Sequence, residues 1–294
     1  MSHKRKQTDI ERTSPEPSSV RKETSAHDSD NESDSGSVSS VGSNEIVDVD
    51  FEFFDPKEQD YHAIKRLLMG IFGDDSEDFD IGALADLCLA QASIGSTVKM
   101  EETGDPYAFL TVLGMQEYRD KPVMKQITEY LLKKVPGKEK QKLEKILKSN
   151  VGLVLNERII NMPPQIVPPM FRMLMEELGW AKEDGKPVDY DYYLILAPMY
   201  RETEAVNDDD DDEEQERVAK KSKLEIDAHV HPEDEFIEEF AQFRFDYKFT
   251  RSKRAAESRD AFAETGLAPS RRCLVVEKSK IDAMVKRLLV VLAP

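Results

Sequence analysis

Between residues 46 and 292 the apolar side chains recur with two different periods, and this switching is the feature that most constrains the fold. A period of two is typical of strands, and a spacing of three and four is typical of helices. Strands are predicted at 46–54, 96–102, 108–118, 151–160, 190–201, 234–249 and 273–277. Helices are predicted after Asp55-Pro56, after Asp80, and at 121–134, 137–148, 167–178 and 280–292. This interleaving predicts one α/β domain over 45–294, with a mixed central sheet flanked by helices.

Residues 1–44 have no such pattern and are rich in Ser, Asp, Glu and Lys. A segment of this composition buries too little apolar surface to offset its conformational entropy, so we predict a disordered acidic, Ser-rich tail. Within it, Lys4, Arg5 and Lys6 resemble part of a nuclear-import signal, although three basic residues also occur often by chance.

The chain carries a net charge of −18, which argues against direct nucleic-acid binding, since phosphate contacts need clustered Lys and Arg. Such a field attracts cations or basic proteins instead. Cys88 and Cys273 lie in apolar surroundings and are predicted to be reduced core residues of an intracellular protein. With no run of 18 apolar residues and no signal-peptide pattern, neither membrane insertion nor secretion is expected.

Acidic residues are concentrated in two places. In the strand predicted at 46–54, Asp48, Asp50 and Glu52 alternate with apolar residues and form one carboxylate face. An insertion at about 203–230 is predicted to be disordered, because eight acids within 207–216 repel one another. Both are candidate sites for a basic partner, and a merely solvated face is the alternative. The candidate residues of the insertion are Asp208, Asp209, Asp210, Asp211, Asp212, Glu213 and Glu214.

Catalytic motifs are missing: the sequence has no Walker loop, GxGxxG, HExxH or GxSxG. His229 and His231, with Glu233 or Asp234, could bind a metal, but they flank the flexible insertion and lack a rigid partner set. We therefore expect neither a metal nor a cofactor, and no enzymatic activity. Trp180 is predicted to be a packing anchor.

The segment NERIINMPPQIVPP, at 156–169, is unusual for its four prolines between a strand and a helix. A proline in the first turn of a helix loses no hydrogen bond, and one before it stiffens an extended connection. This predicts a rigid elbow, in which Arg158 pairs internally with a carboxylate or with carbonyl groups of 161–164.

The stretch VGLVLNERIINMPPQIVPPMFRML resembles the signature segment of the BCCIP family, and the resemblance extends through IGSTVK (94–99), YYLILAPMY (192–200) and EEFAQFRFDYKF. The family's signature positions match Glu157, Arg158, Asn161, Pro163 and Pro164, whose role is expected to be structural. The resemblance implies a fold like that of acetyltransferases related to histone acetylase, without their activity. Their phosphate loop, Q/R-x-x-G-x-G/A, has its nearest match at Gln91–Gly95, with the wrong spacing.

The family resemblance also implies a function. Fungal-type members act as chaperones of a basic large-subunit ribosomal protein in the nucleus and support nuclear export of a lipid kinase that makes a phosphoinositide. We therefore expect a monomeric chaperone and transport adaptor that uses nuclear transport receptors and shuttles from the nucleus to the cytoplasm. A scaffold in cell-cycle or genome-maintenance signalling is the alternative, and a divergent acyltransferase is a remote one.

Overall fold

A mixed sheet of eight strands organises the part of the chain that the computed structural model describes, residues 50–91, 93–202, 227–251 and 267–293. The strands are β1 Glu52–Phe54, β2 Ser96–Lys99, β3 Ala108–Gly114, β4 Val151–Arg158, β5 Tyr192–Glu202, β6 Asp227–His229, β7 Ala241–Lys248 and β8 Leu267–Glu277. The helices are α1 Tyr61–Phe72, α2 Ile81–Ala90, α3 Pro122–Lys134, α4 Lys140–Leu147, α5 Val167–Glu183, α6 Pro232–Glu238 and α7 Lys278–Val291. The predicted mixed α/β fold is confirmed.

The strand order is β1-β2-β3-β4-β5-β8-β7, with β6 pairing with β5. Described neighbours are antiparallel, except that β4 and β5 run parallel through the pairs Val151–Val154 and Tyr192–Ile195. Beyond these pairs β4 and β5 separate, and the edge of β5 that β4 leaves is paired with β6 at Met199–Arg201. We call this gap the wedge, and the end of the sheet where it opens the splayed end.

The two faces of the sheet carry separate cores, because side chains alternate along each strand. On β4, Leu153 and Leu155 pack with α1 to α4, while Val154 packs with α5 to α7. Full burial of such a side chain stabilises the fold by roughly 1.5–3 kcal/mol. Both faces are therefore covered by helices. Among the described helices, none combines the length and the apolar character needed to cross a membrane.

The predicted helix caps have different outcomes. Asp80 caps α2 as predicted, accepting a hydrogen bond of 3.0 Å from the backbone N–H of Ala83. The prediction that α1 begins at Asp55-Pro56 is wrong, because a short 3-10 helix at Glu58–Asp60 precedes it. Asp60 is held there by the ammonium of Lys99, 2.6 Å away and equally buried. A pairing across 39 residues therefore decides where this helix starts.

Several strand boundaries also differ from the predictions. The strand predicted at 234–249 is wrong in its first half, which forms α6, because Pro232 and three following acids favour a helix N-terminus. β1 is shorter than predicted because its partner β2 ends at Lys99. The insertion predicted to reach about 230 ends earlier, since 227–229 form β6. Trp180 is 56% exposed, so the predicted packing role is wrong.

Candidate functional site

The splayed end of the sheet brings together the candidate residues that the structure describes. β1 begins there, with Asp50 and Glu52 exposed and Phe51 half-buried. This arrangement confirms a carboxylate face for the described part of the strand. The other acidic candidates, Asp48 and Asp208–Glu214, lie outside the described residues, as do Lys4, Arg5 and Lys6, the predicted tail 1–44 and the insertion at 203–226.

Arg158 is the last residue of β4 and points into the wedge towards α6. Its Nε and Nη2 donate to the two carboxylate oxygens of Glu233 at 2.9 and 3.0 Å, and its Nη1 donates to the carbonyl of Met162 at 2.7 Å. Arginine and glutamate are both buried. The predicted internal pairing of Arg158 is confirmed, and it uses both a carboxylate and a carbonyl of the proline elbow. The pair therefore ties α6 to β4 across the wedge.

Glu157 precedes Arg158 and points to the opposite face of the sheet, against α1. Its Oε1 accepts from the backbone N–H of Arg158 at 3.1 Å. On its other side lies Gly70, where an added Cβ would stand 3.2 Å from Oε2. Burial raises the pKa of Glu157 to about 7, although Arg271 and Arg158 oppose the rise. Glycine at position 70 is thus what leaves room for this carboxyl group.

Arg271, on β8, completes the same face. Its Nε donates at 2.8 Å to the carbonyl of Ile71, and its Nη2 donates to that of Gly70. The guanidinium lies 5.2 Å from the ring centre of Phe249. The last carbonyls of a helix lack partners within the helix, and a cation also suits that end of its dipole. Arg271 therefore fixes the end of α1 to the sheet.

His231 lies between the two faces, immediately after β6. Its Nε2 is 3.6 Å from Glu157 Oε1, and its Nδ1 is 3.9 Å from Asp234 Oδ2. Burial lowers the pKa of His231 to about 4 and raises the pKa of Asp234 well above its usual value, so both groups are neutral at pH 7. We call Glu157, Arg158, His231, Glu233, Asp234 and Arg271 the wedge cluster.

The proline elbow holds the wedge cluster in place. Met162, whose carbonyl accepts from Arg158, donates its own N–H to the carbonyl of Ile159 at 3.0 Å. Asn161 and Pro163 are exposed, and Pro164 starts a 3-10 helix that leads directly into α5. The structural role expected for the signature positions is consistent with this geometry.

A second charged network lies where 203–226 leaves and rejoins the sheet. Arg272 contacts three carboxylates: Asp246 at 2.6 Å, Glu238 at 2.7 Å and Asp227 at 3.4 Å. Arg201 pairs with Asp227 at 3.0 Å on the neighbouring strand. Beside this network a cavity of about 650 Å³ opens between β6 and α6. These pairs hold the two ends of the insertion together on β5 and β6.

The arrangement offers no site for a metal ion within the described residues. Those parts of the chain contain no group of three His, Cys, Asp or Glu side chains that could hold one. His229 is engaged instead with Glu238, at 2.8 Å from Nε2 to Oε2.

Glu233, Asp234 and Arg271 are site residues that the sequence analysis did not identify as charged partners of the signature. The available signals were weak: acids directly after the HVHP motif, and two successive arginines on β8. Neither signal indicates which residue lies across the wedge.

The chain matches the model of the BCCIP family over residues 46–237. The chain belongs to the BCCIP family. It is 40% identical to the protein bcp1 of Aspergillus fumigatus over 82% of this chain and 86% of that one. It is 37% identical to the protein bcp1 of Schizosaccharomyces pombe, over 83% and 90%.

A solved structure agrees. The crystal structure of BCP1 from Saccharomyces cerevisiae is similar with a TM-score of 0.59 and 26% identity, covering 85% of this chain and 92% of that one. The BCCIP signature segment is thus the strand and elbow that carry Glu157 and Arg158.

Proposed function

We propose that this BCCIP-family protein is a non-enzymatic nuclear chaperone that covers a basic protein of the large ribosomal subunit. The rRNA-binding surface of such a protein is crowded with Lys and Arg and binds any nucleic acid. An acidic surface competes with phosphate for those side chains, and complementary charge speeds the encounter.

The observation that carries this proposal is that the acidic segments attach to one end of the sheet. Asp50 and Glu52 are exposed where β1 begins, at the splayed end. The chain leaves β5 after Glu202 and re-enters β6 at Asp227, also at that end, because β4 and β5 are parallel. The run Asp208–Glu214 is therefore tethered to the same end as Asp48, Asp50 and Glu52. We propose these residues as the contacts for the basic client.

The proposal that the protein is not an acyltransferase rests on how the wedge is filled. The strand order and the splayed parallel pair support the implied likeness to acetyltransferases. The residues present do not fit coenzyme A: β6 and the Arg158–Glu233 pair occupy the wedge. Pro168 and Pro169 remove two backbone donors from the start of α5, where a pyrophosphate would be held.

The glycine of the nearest phosphate-loop match is also engaged. The backbone N–H of Gly95 donates to the buried carboxylate of Glu177 at 2.7 Å. An internal carboxylate therefore takes the donor that a phosphate would need.

Transport is the second part of the proposal. We propose that the protein shuttles between nucleus and cytoplasm as a monomer through nuclear transport receptors, with Lys4, Arg5 and Lys6 contributing to import. We also propose that it supports nuclear export of a phosphoinositide-producing lipid kinase. The family resemblance supports this part.

Association kinetics with a purified basic large-subunit ribosomal protein test the chaperone proposal. The variant Asp50→Asn/Glu52→Gln should associate more slowly than wild type, and its rate should depend less on salt. The control Glu183→Gln/Asp184→Asn removes two exposed charges at the far end of α5 and should leave the rate unchanged. Equal slowing in both variants would reduce the effect to net charge, and no binding by wild type would refute the proposal. Copurification of a signalling or repair protein in its place would favour the scaffold.

A further inference from the structure

The splayed end also exposes aliphatic surface. Ile159 and Ile160 follow Arg158 and are 44% and 68% exposed. They border a groove of about 350 Å³ between α1, the elbow and the ends of β5 and β8. Its other apolar lining residues are Leu67, Pro198, Val230 and Pro269.

The two isoleucines are held rigidly in their exposed positions. The N–H of Ile159 donates to the carbonyl of Tyr107 at 2.9 Å, and its own carbonyl accepts from Met162 at 3.0 Å. Met162 in turn is bound to Arg158, whose other contacts are buried. Adjacent exposed aliphatic side chains on a rigid loop beside a groove are typical of a surface that another molecule covers.

The charge around the groove indicates what that molecule is. Exposed acids surround the groove's end of the sheet: Asp50, Glu52, Glu101 and Asp105. The rim cation Arg66 is paired with Asp105 at 2.7 Å. In the groove floor, Arg271 is committed to carbonyls of α1 and Glu157 lies close by. An aliphatic floor within an acidic border matches Lys and Arg side chains, whose apolar stems cover apolar surface while their charges face carboxylates.

We infer that the groove beside Ile159 and Ile160 docks a segment of a partner protein in which lysine or arginine alternates with aliphatic residues. This inference rests on the proposed function and deepens it, because it locates the short-range contacts made after the acidic segments have attracted the client. A second copy of this chain is a poorer occupant, since each copy has a net charge of −18 and would bring its own acidic border to the contact.

The test uses the full chain and two synthetic peptides with equal numbers of lysines, one with leucine between the lysines and one with serine. Wild type should bind the lysine–leucine peptide more tightly. The double variant Ile159→Ser/Ile160→Ser should lose about tenfold in affinity for that peptide, the scale of partly burying two aliphatic side chains, and should bind the lysine–serine peptide as before. The control Val290→Ser removes an aliphatic side chain that is 73% exposed on α7, outside the groove, and should behave as wild type.

A second measurement does not depend on weakening the site. Both native cysteines are buried, so a cysteine introduced by Ile160→Cys can be labelled selectively with an environment-sensitive dye. The lysine–leucine peptide should shift its emission, and the same label at Val290→Cys should not respond.

Equal binding of both peptides, or an unchanged preference in the double variant, would overturn the docking groove while leaving the chaperone proposal intact. Failure of wild type to bind either peptide or a basic ribosomal protein would refute both. Sedimentation that shows self-association of wild type, abolished by Ile159→Ser/Ile160→Ser, would assign the surface to a second copy and overturn the inference.

Discussion

Replacing Arg158 by methionine should destabilise the fold strongly, because it breaks the buried contact across the wedge while keeping a side chain of similar volume. Glu233 is completely buried and would lose both of its arginine donors, and the carbonyl of Met162 would lose a third. Removing one partner of a buried ion pair costs about 3–5 kcal/mol, because the other charge is left uncompensated. For a domain of this size that is a fall in melting temperature of about 10 °C.

The partner substitution separates the broken pair from general damage. The double variant Arg158→Met/Glu233→Met removes both charges, so it should be considerably more stable than the sum of the two single variants predicts. The control Arg172→Met disrupts an exposed pair with Glu176, 4.0 Å apart, and should change the free energy of unfolding by less than about 1 kcal/mol.

Urea denaturation of the four variants and wild type measures these differences. A single variant Arg158→Met within about 1 kcal/mol of wild type would refute the reasoning. So would additive losses in the double variant, since they would show that Arg158 and Glu233 do not depend on each other.

Three further predictions follow from the same residues. Gly70→Ala should destabilise the fold by about 1–2 kcal/mol in thermal denaturation, because its Cβ would press on Glu157 Oε2 at 3.2 Å, whereas Gly179→Ala, with nothing within 4 Å, should be neutral or stabilising; similar results for both would contradict the crowding. Because burial raises the pKa of Glu157 from 4.5 to about 7, its protonated form stabilises the fold at low pH and this contribution is lost as pH rises. Wild type should therefore lose up to about 3 kcal/mol relative to Glu157→Gln between pH 4.5 and 8 in urea titrations, and His231, with its lowered pKa, cancels in that difference if the two curves are otherwise parallel; a constant difference would disprove the raised pKa. Changing Asp208–Asp212 to Asn and Glu213 and Glu214 to Gln should slow association with a basic ribosomal protein and flatten its salt dependence in stopped-flow experiments, with little change in stability; identical rates and salt slopes would make the run a solubilising loop.

The signature segment shows how far local reasoning reaches. An arginine late on an apolar strand, beside four prolines, is enough to predict an internal partner and a rigid elbow, and both are present around Arg158. The partner itself could not be predicted, because Glu233 is 75 residues away in the chain. Its acidic neighbours carry no local mark that distinguishes them among the 59 acids of the sequence.

Tertiary contacts also overrode local patterns. The residues of α6 alternate like a strand, yet Ile237 is completely buried against the α5–α7 core, and the helix is tied to β4 through Glu233. The start of α1 likewise depends on Lys99, which buries Asp60. Trp180 has the composition of an anchor but ends on the exposed side of α5.

The sequence by itself determined which segments are strands and which are helices over most of the fold, because the period of apolar residues sets the faces an element must bury. It also determined the Asp80 cap and the exposed acids of β1, which depend on nearest neighbours in the chain. Only the tertiary structure decided that β4 and β5 separate, that β6 fills the wedge, and that Glu157, His231 and Arg271 meet there. Those contacts join residues far apart in sequence, and a buried charge takes whichever partner the folded backbone brings within reach.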